Sequence, residues 1–518
     1  MRRVRAAVVV AVAAVFAGAA FPGARQLGSI AFPTSGAAAA QDAFLTGVKA
    51  LHSFQFDEAA VAFQQAEKAD PAFAMAYWGE AMSHNHPLWA QQDLAKAKAA
   101  LDKLAPSHEA RLAKARLPKE KALLDAQQTL YFSAGDKLSR DLAYSKQMAA
   151  LYAQYPDDHE IGTFYALSLL GTVRPGDAGF RRQALAASIA ERIFATNPKH
   201  PGAAHFVIHA FDDPDHAPLA LDAANAYAKI APAAAHALHM PSHIYVQRGM
   251  WQQVALSNVD AYKAAVDLNA RLKLPEGRED FHTLGWLGYA HLMLGKFDEA
   301  KKNVDAANAA ADRNPTARNI RDAYLGMRAR YIQETGRWET LTLTPTAPPT
   351  ASGGDHAGMP GMAMPGNTVG VSEGAATWTY IVGVSAAKLG DRATAEAALA
   401  QLKGIREKAQ GSGNAYAARP HQIREKELGA IIAATTGQRE VALALAKEAT
   451  EVELTMAAPS GPPEPIKPAF ELYGELLTEA GNHRDAVAAF EHALLRTPNR
   501  TPSVKGLAAA QAKVTSSR

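Results

Sequence analysis

The stretch HALHMPSHIYVQRG, residues 236–249, places His236, His239 and His243 within eight positions around a Met-Pro-Ser. An earlier stretch, HFVIH, holds His205 and His209, and Asp212 and Asp213 follow it in HAFDDPDH. Neutral imidazole is the commonest protein ligand for a transition metal. Residues four apart on a helix have Cβ atoms about 5 to 6 Å apart, and packed helices lie about 8 to 10 Å apart. Opposed HxxxH pairs can therefore share one ion at Zn–N bonds of about 2.0 to 2.1 Å, and zinc, copper or iron would suit such a ligand set. Neither pair contains the glutamate of an HExxH motif, so the motif supplies no general base. The expected metal ligands are His205, His209, His239 and His243, and no catalytic residue is nominated.

Two other stretches carry weaker chemistry. In YWGEAMSHNHPLW, residues 77–89, Trp78, Met82 and His86 would line one side of a helix and extend a ligand-binding surface. In GGDHAGMPGMAMPG, His356, Met359, Met362 and Met364 combine imidazole with soft thioethers, a set suited to Cu(I), although a low-complexity linker explains the same residues. Phosphate-binding loops, a GxSxG elbow and a dinucleotide glycine fingerprint are all missing from the sequence.

The elements that must position these side chains follow from an internal repeat. Gly47, Ala59, Phe63, Ala66 and Pro71 recur with every interval kept as Gly474, Ala486, Phe490, Ala493 and Pro498. The glycine lets one helix approach its neighbour, the alanine and phenylalanine lie on the inner face of a second helix, and the proline stops it. Weaker copies fill the middle, among them LGYAHLMLGKFDEAKKNVDAA with Gly288, Gly295, Ala300 and Ala307. Pro198 and Pro232 close two successive second helices, so His205 and His209 occupy the repeat positions of His239 and His243. Pro241 suits a first helical turn, which leaves His239 just before it, off the regular helical face.

These residues resemble the tetratricopeptide repeat (TPR) pattern. The resemblance implies an all-α, right-handed solenoid of antiparallel helix hairpins with its first helices lining a concave groove. It places the four histidines on that groove, with His236 and His282 at further groove-facing positions and Asp212 and Asp213 on the same side. It also implies a protein, peptide or small ligand held there by a scaffold with no chemistry of its own. A metal-binding protein or metal-dependent enzyme, using Zn, Cu or Fe at the histidines, is the alternative.

Composition bounds the rest. The chain has 518 residues, no cysteine and only 8% aromatic content, which excludes disulfides and thiolate metal sites and favours alanine-rich helix packing. Arg2, Arg3 and Arg5 precede an uncharged run to Ala20, the pattern of a secretory signal over residues 1–20, with cleavage conceivable as late as residue 40. Loss of those three arginines alone takes the formal charge from +3 to 0, so nothing favours nucleic acid, and with the signal cleaved no stable membrane insertion is expected. A periplasmic or secreted location follows. Residues 41–340 are expected to form one repeat array and 374–518 another. The Pro-, Gly- and Met-rich stretch 341–373 would be a flexible linker between two stacks.

Overall fold

The computed structural model describes residues 26–343 except 178, and 372–516 except 413. The proposed signal segment and the loop carrying His356, Met359, Met362 and Met364 lie outside the described residues. Among those described, strand is confined to one antiparallel pair, Asn85–His86 with Gln91–Gln92. The remainder is helix and connection, as the repeat spacing predicts. No described helix is long and apolar enough to cross a membrane.

The local code is simple. Asp93, Asp136, Asp158 and Asp391 accept backbone N–H bonds at helix starts, satisfying donors that a first turn leaves open. Pro118, Pro201 and Pro241 occupy first helical positions, where the missing N–H costs nothing. Helix Ala38–His52 pairs with Phe56–Ala69 through the Phe63 ring, which lies against Gly47 of its own hairpin and Gly79 of the next. Phe490 sits between Gly474 and Gly506 in the same way near the other end. A Cβ at any of these glycines would run into the ring. One unit is thus keyed into its neighbour at both ends of the chain.

Three features differ from the expected plan. The ordered body starts before residue 38: Leu27 and Phe32 are buried, Phe32 packs on Phe44 and Trp78, and Ser35 donates to Glu120. A chain cut after residue 40 would lose all of these contacts. The array also continues across the 341–373 stretch, because helix Arg318–Thr335 packs directly on helix Glu373–Leu389. Residues 338–343 run along the latter, with Ser385 and Trp378 bonded to the backbone at Glu339 and Thr342. The helices that flank the stretch are therefore in direct contact.

The third feature is long-range closure. Arg500, wholly buried, is held by Glu471 and Glu334 and donates to the Tyr289 hydroxyl. Thr501 donates to the Met293 carbonyl, Trp251 Nε1 to the Asn499 carbonyl, and Arg330 to the Pro463 carbonyl. The last helices thereby fold back on the middle of the stack. The segment 456–468 is laid against Trp286, where Gly461 meets the indole, and Gln247 Nε2 donates to the Pro459 carbonyl at 2.8 Å.

Candidate metal centre

Four helices converge. Helix Pro201–Ala210 carries His205 and His209, helix Ala235–His239 carries His236 and His239, helix Pro241–Gln247 carries His243, and helix Glu279–Met293 carries His282. Met240 stays in the right-handed helical region (φ −54°, ψ −34°). Pro241 therefore interrupts hydrogen bonding without turning the chain, and His239 and His243 keep their i, i+4 relation.

The four expected ligands come together, but they divide between two triads. His239, His243 and His282 form one and His205, His209 and His236 the other, each with one nitrogen per ring inside a 4.8 Å cluster. His236 and His282, expected only as groove-lining residues, complete the triads. The rings are withdrawn from solvent: His205 and His239 are fully buried, and His236 and His243 nearly so.

Hydrogen bonds fix the tautomers. His243 Nδ1 lies 2.6 Å from Asp212 Oδ2, so the ring must donate there. His239 Nδ1 lies 2.7 Å from Asn258 Oδ1, and Asn258 spends its amide N–H on the Val254 carbonyl, so this ring donates too. When neutral, these two rings direct Nε2 lone pairs at each other across 3.1 Å, with His282 Nε2 at 2.8 Å from His239 Nε2. One proton on His282 can satisfy one of these contacts and leaves the other as a meeting of lone pairs. Nitrogens bound at about 2.05 Å to one tetrahedral ion are about 3.3 Å apart, close to what is seen.

The other triad follows the same logic. His205 Nδ1 donates to the His52 carbonyl at 2.7 Å and His236 Nδ1 to Glu279 at 3.2 Å. The Nε2 atoms of His205, His209 and His236 are buried with no hydrogen-bond partner. Burial, reinforced by the neighbouring imidazoles, pushes His205, His209 and His239 well below the usual imidazole range, and burial brings His282 down to about 4. Burial works to raise the Glu279 carboxyl, but His236 and then His282 outweigh it and hold it below its ordinary value. Neutral rings beside ionised carboxylates are the state in which imidazole ligates.

Aromatic rings wall the cluster. Trp286 lies 4.5 Å from the His243 ring and 4.9 Å from His239, centroid to centroid. Phe54 contacts His205, His209 and His236 from the turn between the first two helices. Its φ of +52° is left-handed, a conformation that costs an aromatic residue free energy and that the packed ring sustains.

The remaining expected ligand residues fare differently. Asp212 belongs to the site through His243. Asp213 does not: it accepts from the His216 ring and from the backbone of residues 215 and 216, closing its own turn. Trp78 and Met82 are core residues, contrary to the groove surface expected for them. Trp78 is fully buried against Phe32 and Phe164, and Met82 receives the Tyr131 hydroxyl. Every residue of helix Ala74–Met82 is buried, so no face of it is free for a ligand. His86 stacks on Phe56 at 3.9 Å, near the cluster but in neither triad.

Glu279, Asn258, Trp286, Phe54 and His52 escaped the sequence reading. Glu279 stands three residues before His282, a carboxylate on the adjoining turn that could have been noticed; Asn258 and Phe54 had no such mark. A third buried group, His52, Glu160 and His200, is a hydrogen-bonded unit. His200 Nδ1 accepts the Ala203 N–H at the start of helix Pro201–Ala210, so its Nε2 carries the proton and donates to Glu160. Burial would raise the Glu160 carboxyl, yet His52 and His200 hold it at about 2.

No family profile and no curated protein matches the chain. Solved structures align over most of its length at low identity. The P58(IPK) TPR domain is 13% identical, covering 92% of this chain and 99% of that one, with a TM-score of 0.23. The Cut9 and Hcn1 assembly of APC/C gives 11% identity over 93% and 78%, with a TM-score of 0.35. Yeast Tom70 gives 12% over 92% and 96%, with a TM-score of 0.32. Superposition at this level adds no weight, and the helical-repeat architecture rests on the keyed hairpins themselves.

Proposed function

We propose that this chain is an exported helical-repeat protein that binds transition-metal ions through the buried histidines between its successive hairpins. The observation that carries the reading is the meeting of the His239, His243 and His282 Nε2 atoms at 2.8 and 3.1 Å, with His239 and His243 already committed as donors at Nδ1. Lone pairs held face to face in a buried site are stabilised by a cation. The donor set would suit Zn, Cu or Fe, with imidazole nitrogens and no thiolate. Asp212, Asn258, Glu279 and the His52 carbonyl would hold the rings, as outer-shell partners of metal-bound histidine do.

Capture of a peptide or protein at these same histidines has less support, because the chain's own 456–468 segment lies across Trp286 beside them. Export is supported by the arginine-led apolar start of the sequence.

The test is elemental analysis of protein purified without a histidine tag, alongside His239→Ala. Wild type should carry or take up at least one transition-metal ion per chain with submicromolar affinity, and the variant should bind fewer ions. A wild type that takes up none of Zn, Cu or Fe ends the proposal.

A further inference from the structure

We propose that the six histidines bind two ions as one coupled pair, with a small anion between them, rather than as two independent sites. This rests on the metal reading above and adds the number of ions and their mutual dependence. The ring packing does not separate the triads. Within them, ring centroids lie from 4.4 Å (His239 to His282) to 6.5 Å (His243 to His282) apart. Across them, His209 lies 6.1 Å from His243 and His236 lies 6.2 Å from His239. For His209, His236 and His243 the other triad lies no farther than the more distant ring of their own.

The supporting bonds cross over as well. Asp212 follows the helix that bears His205 and His209, yet it holds His243 of the other triad. Glu279 begins the helix that bears His282, yet it holds His236. His236 and His239 stand on one helical turn and serve different triads. An ion drawing in one triad therefore positions supports of the other.

Charge and unmet polarity point the same way. Asp212 Oδ1 and Glu279 Oε2 are buried without a hydrogen-bond partner, as are the Nε2 atoms of His205, His209 and His236. Unpartnered carboxylate oxygens and imidazole lone pairs are acceptors, and positive charge satisfies them. Two divalent ions against these two carboxylates leave a net positive charge, which a single small anion such as hydroxide or azide reduces.

The experiment is titration of metal-free, full-length, tag-free protein with Cu(II), followed by elemental analysis and electron paramagnetic resonance with spin counting. Two ions per chain are expected, with a spin count below half of the copper bound, because neighbouring Cu(II) ions that share a ligand couple. Azide should change the spectrum of the loaded protein. His209→Ala and His282→Ala should each bind one ion and give an isolated Cu(II) signal with full spin count, while His108→Ala, outside the cluster, should leave both ions. Should either variant fail to fold, the wild-type spin count alone decides. Two ions with a full count of isolated spins, or a single ion, overturn the pair and leave metal binding standing. No bound copper overturns both.

Discussion

An imidazole that gives its Nδ1 proton to a fixed acceptor has its Nε2 lone pair aimed by that bond, so the acceptor is as much a part of the centre as the ring. Asp212→Ala and Asn258→Ala should therefore weaken metal binding about 10- to 100-fold, read by competition titration with a chelator, while leaving the helical circular dichroism unchanged. A different residue-scale consequence lies in the C-terminal half. Glu427 is fully buried, and burial, then the nearby Glu453, push its carboxyl well above the ordinary value. Because the folded pKa is raised, ionisation is opposed by the folded state, and stability is lost as pH rises above the unfolded value of 4.5. Glu427→Gln should melt higher than wild type at pH 7 to 8, with the advantage vanishing below pH 4.5. At this scale the 34-residue register identified His205, His209, His239 and His243 as equivalent positions. It could not divide them into triads, since spacing assigns a helix face but not the neighbour toward which each ring turns.

Between elements, the recurring device is an aromatic ring seated against glycines of two consecutive units. Phe63→Ala should cost about 3 to 5 kcal/mol by leaving a cavity between them, measured by denaturant unfolding. Gly79→Ala should cost about 1 to 3 kcal/mol by overpacking the same ring. The combination Phe63→Leu with Gly79→Ala should recover part of that loss, which a purely conformational effect of the glycine would not allow. These contacts were legible, because Gly47, Ala59, Phe63 and Pro71 carry the helical period in the sequence. Leu27 and Phe32 were not: they are buried in an irregular segment, and an apolar residue without a period gives no sign of what it packs against. Trp78 and Met82 were misplaced for the opposite reason, since a helix buried all round presents the same apolar pattern to every neighbour.

The whole molecule is closed by charges that meet far along the chain. Arg500 lies 166 residues from Glu334 and 211 from Tyr289, and repeat periodicity, which encodes only neighbour stacking, cannot announce such a contact. Arg500→Ala would strand the buried Glu334 carboxylate and leave Glu471 to Lys467 and Ser503, and should cost about 3 to 5 kcal/mol. Limited proteolysis of that variant should show earlier cleavage within residues 456–468 than in wild type. The position of that segment also sets an order of events. All six histidines have been synthesised once the ribosome has passed residue 282, whereas the stretch that meets Trp286 follows more than 170 residues later. An ion captured early would thus be covered by a part of the chain that arrives later, and its exchange afterwards would require that segment to reopen.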